Sequence, residues 1–451
     1  MPGNLSAAEL KSQIAAGEID TVIVAFADAQ GRLVGKRVSA RLFEEEILPH
    51  GAEACNYLLS VDVDMNTVDG YAMSSWETGY GDMMLLPDPD TLRLVPWLPG
   101  SAMVIADLGW ESGDTVAQSP REILKRQRAR LADRGLVGYS GTELEFIVFD
   151  DTYRRAWAKG YRDLAPSTDY NVDYDLLASG RLEPLLRDIR VSMDAAGMYC
   201  EGVKGECNLG QQEIAFRYAE VLETADQHTI YKNGAKAIAE NHGKALTFMA
   251  KFNEREGNSC HIHLSVRDDD GALAMSGDGE YGFSPLMEHW IAGILATLRE
   301  FTLLYAPNIN SYKRFAKGSF APTGVAWGVD NRTCALRVIG RGQSLRVENR
   351  VPGGDVNPYL GISAIIAGGL YGIENELPLP APLAGNAYTD AVDHLPTTLR
   401  EAASLFAESS IARAAFGDDM VEHYLNQARI EVEAYDAAVT DWERVRGFER
   451  L

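Results

Sequence analysis

The chain has 451 residues, 46% hydrophobic and 24% charged, the proportions of an ordinary globular protein with a sizeable core. At that length one large domain plus a smaller one is expected. Its 42 Lys and Arg against 65 Asp and Glu leave a formal net charge of −23, which argues against nucleic acid or an anionic membrane as the main partner, since both select basic surfaces.

In chain order, Leu5-Ser6-Ala-Ala-Glu9 reads as a helix start with a capping box, not as the basic and then apolar opening of a signal peptide. Residues 21–38 predict a hairpin with its turn at Ala29-Gln30-Gly31. The stretch Gly31 to Lys36 superficially looks like a phosphate loop, but it lacks the four-residue spacer and the Ser/Thr after the lysine. A helix near 40–48 and strands near 57–64, 83–86 and 102–108 complete a small mixed domain over residues 1–114, leaving 115–451 as the larger one.

Ser119-Pro120-Arg121-Glu122 is a helix start, with Ser as the cap, Pro first in the helix and Glu three after the cap; the stop falls at Gly135. Helical periodicity over 180–197 and 221–242 ends each time at a glycine, Gly197 or Gly243, suited to a left-handed cap. Strands are predicted at 245–252 and 259–267, then a helix at 286–305 and a polar loop from Asn308 to Gly318. Strands carrying arginines span 332–350, and a buried Gly/Ala-rich helix spans 358–374. Its apolar run, Gly361 to Gly372, is too short to cross a bilayer. The charged helical tail from residue 397 is expected on the surface. Cys55, Cys200, Cys207, Cys260 and Cys334 form no C-x-x-C pair and read as reduced thiols, consistent with a cytoplasmic protein.

The chemistry starts at Gly141-Thr-Glu-Leu-Glu-Phe-Ile-Val-Phe149. In a strand Glu143 and Glu145 share one face, while Leu144, Phe146 and Val148 take the other. Two carboxylates in so apolar a segment must meet water, a cationic side chain or a metal. A strand with one wet face would explain this segment alone. The same spacing of two recurs at Ser259-Cys-His261-Ile-His263-Leu-Ser265, at Leu336-Arg337-Val-Ile and at Leu345-Arg346-Val-Glu348-Asn-Arg350. With Glu206-Cys-Asn-Leu-Gly-Gln-Gln-Glu213 these assemble a sheet face of glutamates, histidines and arginines, suited to a polyphosphate held through divalent cations.

These segments, with Asn310-Ser-Tyr-Lys-Arg314, Asn331-Arg332-x4-Arg337 and Asn357-Pro-Tyr-Leu360, resemble the motifs of the glutamine synthetase superfamily, in the family's order. The resemblance implies an α+β fold: a small N-terminal β-grasp-like domain and a larger catalytic domain with a curved antiparallel sheet flanked by helices. It implies that Glu145, Glu206 and Glu213 hold one divalent metal and Glu143, His261 and Glu348 a second, Mg²⁺ or Mn²⁺. His263 would lie beside the phosphates of ATP, with Ser265 and Tyr218 near its base. Arg332, Arg337 and Arg346 would grip phosphate oxygens, and Arg314 and Arg350 would orient glutamate and the transferring phosphate. Glu145, Glu206 and one of Glu256, Gly257 and Asn258 would also contact substrate. The implied reaction phosphorylates the γ-carboxylate of glutamate and then displaces phosphate with a nitrogen nucleophile, in a ring-shaped homo-oligomer, a dodecamer of two hexamers.

The departures from that resemblance cluster on the nitrogen side. Where enzymes using ammonia carry a loop glutamate, this chain reads Phe315-Ala-Lys-Gly-Ser-Phe320-Ala-Pro322, with Phe320 in the glutamate's place. The Asp-Gly-Ser-Ser of the small domain is replaced by Ser60-Val-Asp62-Val-Asp64-Met-Asn66. The resemblance therefore narrows to glutamate–amine ligases of the γ-glutamylpolyamine synthetase type. The expected acceptor is a primary amine such as putrescine, cadaverine or spermidine, with ethanolamine or ammonia as the alternatives. Asp62 and Asp64 are the candidates to take the amine's proton.

Overall fold

The computed structural model describes residues 3–451 and contains two sheets. Strands β1 (Thr21–Ala27), β2 (Leu33–Ser39), β3 (Ala52–Cys55), β4 (Asp82–Pro87), β5 (Arg93–Leu94) and β6 (Ser101–Gly109) form the first, in the order β2-β1-β6-β4-β3 with β5 on β6. The predicted hairpin is β1–β2, antiparallel from Thr21↔Ser39 to Ala27↔Leu33. Ahead of it the helix Ala7–Ala15 has the expected capping box, Ser6 accepting from the Glu9 amide while the Glu9 carboxylate accepts from the Ser6 amide.

The strand expected at 57–64 is absent. Residues 56–59 form a 3₁₀ turn, and beyond it only the isolated bridge Val61↔Thr67 forms. Leu59, Ser60 and Val61 are buried in succession there, as in a packed loop rather than a pleated strand with alternating faces.

The second sheet carries the motifs. It comprises β7 (Leu136–Phe149), β8 (Cys200–Gly205), β9 (Gln211–Phe216), β10 (Ala219–Glu220), β11 (Ala245–Thr247), β12 (Cys260–Asp268), β13 (Trp327–Val329), β14 (Leu336–Ile339) and β15 (Arg346–Asn349). The path is β13-β14-β15-β12-β7-β9-β8, with β10 and β11 also on β7. Pairing is antiparallel except for the parallel pair β13–β14, so the sheet is mixed rather than wholly antiparallel. The long β7 runs through its middle, and its Leu144, Phe146 and Val148 are buried in the main core, as the alternation requires.

Helices cover the apolar face. Pro358–Glu374 packs against Pro285–Thr297 so tightly that a Cβ at Gly293 would sit 2.2 Å from the Gly368 carbonyl and one at Gly372 would sit 1.9 Å from that of His289. Glycine at these positions is what lets the two backbones meet. The expected 286–305 helix is broken, resuming only at Thr302–Tyr305, and the strand expected at 245–252 shrinks to β11. The C-terminal tail is only partly superficial: Asp418–Ala437 buries Met420, Val421, Tyr424 and Val432 in the main core. An amphipathic helix with that many apolar residues gains more by packing than by solvation.

Candidate active site

Strand register explains why the site exists. On β7, Glu145 lies opposite Glu213 of β9, which lies opposite Lys204 of β8. One step along, Glu143 lies opposite His261 of β12. One step further, His263 lies opposite Glu348 of β15, itself opposite Arg337 of β14. The alternation that buries one face therefore lines up the charged side chains of six strands on the other.

The first cluster is Glu145, Glu206 and Glu213. One carboxylate oxygen from each falls within 4.8 Å of the others. Glu145 is buried and fixed: Ser259 gives it a backbone hydrogen bond of 2.7 Å and a hydroxyl bond of 2.6 Å, and Gln211 Nε2 donates at 3.1 Å. Burial pushes Glu213 up to about 8; Lys204 pulls the other way, and Glu143, Glu145 and Glu348 add to the rise. Such an excess of buried negative charge, presented by oxygens, fits a hard divalent cation.

The second cluster centres on Glu348, which has no exposed surface. Arg337 donates to its Oε2 at 2.9 Å, Arg350 donates to its Oε1, and His261 Nδ1 lies 3.3 Å from Oε1. Burial works against ionisation of Glu348, yet His261 and Arg350 hold its carboxyl below the usual range. Glu143 shows the same balance. Burial opposes its charge, and the imidazoles of His261, at 3.3 Å, and His263, at 3.0 Å, overcome it. Burial and Arg350 push His261 below its ordinary value.

The expected set Glu143, His261 and Glu348 is brought together, but His263 joins it: one ligand-capable atom each of Glu143, His263 and Glu348 also falls within 4.8 Å. Arg346 Nε donates to His263 Nδ1 at 3.2 Å, which places the ring proton on Nε2, facing Glu143. These carboxylates and the two imidazoles beside them fit a second divalent ion.

Two cavities meet at Glu143. One, of about 450 Å³, holds the carboxylate cluster together with Gly257, Phe320, Arg314, Arg332, Arg337 and Arg350. The other, of about 370 Å³, contains His263, Ser265, Tyr218 and Arg346, with Tyr139 set edge-on to Tyr218 at 6.2 Å. The arginines therefore separate, Arg346 to the second cavity and the others to the first.

Asn258, Arg314 and Asp62 are each held by contacts of their own. Asn258 does not face the cavity: it is fully buried, donating to the Thr247 and Met249 carbonyls at 3.2 and 2.8 Å, while Gly257 lines the wall. A Cβ at Gly257 would sit 2.3 Å from the Ala250 carbonyl, so the turn takes only glycine. Arg314 is turned toward backbone: its Nη2 donates to the carbonyls of Arg350, Val351 and Pro352, and burial lowers its guanidinium to about 10. Asp62 caps its own loop, accepting from the Asn66 amide at 2.8 Å, and neither it nor Asp64 lines the cavity of the same chain.

Sequence reasoning passed over Lys204, Gln211 and Ser259. Each stands two residues before a glutamate or histidine that had been singled out (Glu206, Glu213, His261), so the same-face rule carried one step further would have found all three.

A sheet face with two such clusters, flanked by one cavity rich in arginine and one walled by tyrosine, is that of an enzyme rather than a binding module. Residues 117–446 match the family model of the glutamine synthetase catalytic domain, and the chain belongs to the glutamine synthetase family. Enzymes of this family use ATP and divalent metals. Among curated relatives, the chain is 62% identical over 447 residues to gamma-glutamylethanolamide synthetase GlnA4 of Streptomyces coelicolor, covering 99% of this chain and 96% of the relative. It is 37% identical to the glutamate–isopropylamine ligase of a Pseudomonas species, covering 95% of each. A solved structure of GmaS without ligand superposes with a TM-score of 0.85 at 29% identity, covering 97% of this chain and 99% of that one.

Proposed function

We propose that this enzyme is an ATP-dependent ligase joining the γ-carboxylate of glutamate to a small primary amine of the ethanolamine kind, through γ-glutamyl phosphate. The observation that carries the reading is the 62% identity, over almost the whole of both chains, to a γ-glutamylethanolamide synthetase. That similarity favours the ethanolamine alternative over the polyamine acceptor that the sequence led us to expect.

Glu145, Glu206 and Glu213 would hold one divalent ion and Glu143, His261 and Glu348 a second. These ions would neutralise charge on the phosphoryl group in transfer. The cavity of Tyr218, Tyr139 and Ser265 suits the nucleotide base, with Arg346 and His263 toward the phosphates. The cavity of Arg332, Arg337 and Arg350 suits glutamate and the transferring phosphoryl group, since planar guanidinium forks grip such oxygens. A carboxylate oxygen of glutamate attacks the terminal phosphorus and ADP leaves. The amine nitrogen then attacks the acyl carbon, phosphate leaves, and the nitrogen gives up a proton.

An alkylammonium with pKa near 10 loses that proton at a cost of about 4 kcal/mol at pH 7. Glu256 is a carboxylate of the same cavity suited to ease it. Asp62 and Asp64 would serve only if residues 1–114 of one subunit close a neighbour's cavity. That is the arrangement we propose, within a homododecamer of two rings in the cytoplasm, and light scattering tests it. The activity itself is tested by incubating the protein with ATP, Mg²⁺, glutamate and an amine panel, reading products by mass spectrometry. γ-Glutamylethanolamide should form, and glutamine as sole product would replace the reading by that of an ordinary glutamine synthetase.

A further inference from the structure

Resting on the ligase reading, we propose that Lys204 sets the acceptor specificity, its ammonium excluding amines with a second positive charge and thereby selecting those with a neutral far end. Lys204 projects from β8 into the cavity that contains the carboxylate cluster and Phe320. Its Nζ contacts Glu206 Oε1, lies 3.9 Å from Glu213 Oε2, and stands 4.9 Å above the ring of Tyr174.

Three features give this lysine a role beyond charge balance. Its head group is itself a primary alkylammonium, held by carboxylate and aromatic face, the two partners such an ion prefers. It is therefore chemically the image of the acceptor. The other cations of the cavity, Arg314, Arg332, Arg337 and Arg350, all come from residues 314–350, whereas Lys204 alone among the described residues supplies positive charge from the side of β8, Asp173 and Tyr174. Finally, Lys204 cannot leave the region when the carboxylates take a divalent ion. Repulsion would move Nζ off Glu206 and Glu213, but the stem is anchored in a strand and only 26% of the side chain is exposed. The nearest remaining partners are the Tyr174 ring and Asp173, whose carboxylate lies close to Glu206 and Cys207.

With either placement a positive charge stays at this end of the cavity. Ethanolamine presents a hydroxyl there, which accepts a hydrogen bond from an ammonium. Putrescine presents a second ammonium, and two like charges within ~6 Å in a partly buried site repel enough to change a rate constant by roughly tenfold to a hundredfold. The acidity of the cavity, which alone would draw polycations in, is thus countered at one position.

The test compares two acceptors of one length, 4-amino-1-butanol and putrescine, on the wild type, Lys204→Met and Lys204→Arg, each with ethanolamine as reference. In the wild type the aminoalcohol should be preferred in kcat/KM. Lys204→Met should shift the putrescine-to-aminobutanol ratio toward putrescine by at least about tenfold, and Lys204→Arg should keep the wild-type preference. A lysine that only balances the carboxylates would lower all acceptors together, and an unchanged ratio in Lys204→Met overturns the proposal. If Lys204→Met turns over no acceptor, calorimetric binding of the two amines in the presence of ATP, Mg²⁺ and glutamate reads the same ratio. Failure of the ligase reading is separate: it would show as wild-type protein that turns over no amine at all.

Discussion

The two ends of the large cavity are built differently. At the carboxylate end every group is buried or tied. Glu145 accepts three hydrogen bonds, Glu348 is clasped by two arginines, and both imidazoles face Glu143. The loop residues that line the same cavity, Phe320 and Tyr174, are instead 59% and 73% exposed, both in the left-handed backbone region at φ 58° and 56°. Backbone strain of that kind costs about 1–3 kcal/mol and persists where the surroundings demand it, often at ligand sites. On the proposed function, phosphoryl chemistry would sit on rigid strands, and acceptor choice on loops and on one lysine. The first can be kept while the second is varied.

The sharpest way to break this comparison is Glu145→Gln. Loss of a supporting group around a metal typically costs 10- to 100-fold, so removing the charge of a direct ligand should lower amine-dependent phosphate release by about a hundredfold or more. The melting temperature should change little, because glutamine fills the same space, its oxygen accepting from the Ser259 amide and Gln211 while its NH₂ donates to the Ser259 hydroxyl. Glu348→Ala should differ in kind. It strands Arg337 and Arg350 without their buried partner, and denaturant unfolding should show a loss of about 3–5 kcal/mol alongside lost activity.

A control from outside both ends is His423, buried against Tyr71 at 4.7 Å and lowered by burial to about 4. The unfolded chain binds this proton near pH 6.5 and the folded one only near 4. Stability should therefore be full above pH 6.5 and fall as the pH drops toward 4, by about 3 kcal/mol. His423→Phe should flatten that part of the curve in pH-dependent melting. The smallest effect belongs to the acceptor end: Phe320→Ala should raise the amine KM by about tenfold, leaving the KM for ATP and the melting temperature near wild type, because so exposed a ring contributes little to the core.

The same contrast explains what the sequence made legible. Period-two spacing around Glu143, His261 and Glu348 placed all three on one face, because a pleated strand leaves a side chain only two directions. The buried helix Pro358–Glu374 was likewise legible, from a proline start and an unbroken apolar run. Loops carry no such period. Whether Gly257 or Asn258 met the cavity depended on a turn closed by the Ala250 carbonyl, and the segment from Leu59 to Val61 is a packed loop, buried at three successive residues where a strand would alternate. The setting of Arg314 was not legible for a related reason: its motif gives the residue type, but three carbonyls of residues 350–352 decide where its Nη2 points.

The most direct test of the central claim is the ratio of kcat/KM for ethanolamine, putrescine and ammonium on the wild-type protein, at saturating ATP and glutamate. An ethanolamine-type ligase gives ethanolamine the highest value, and ammonium as the best acceptor would contradict it.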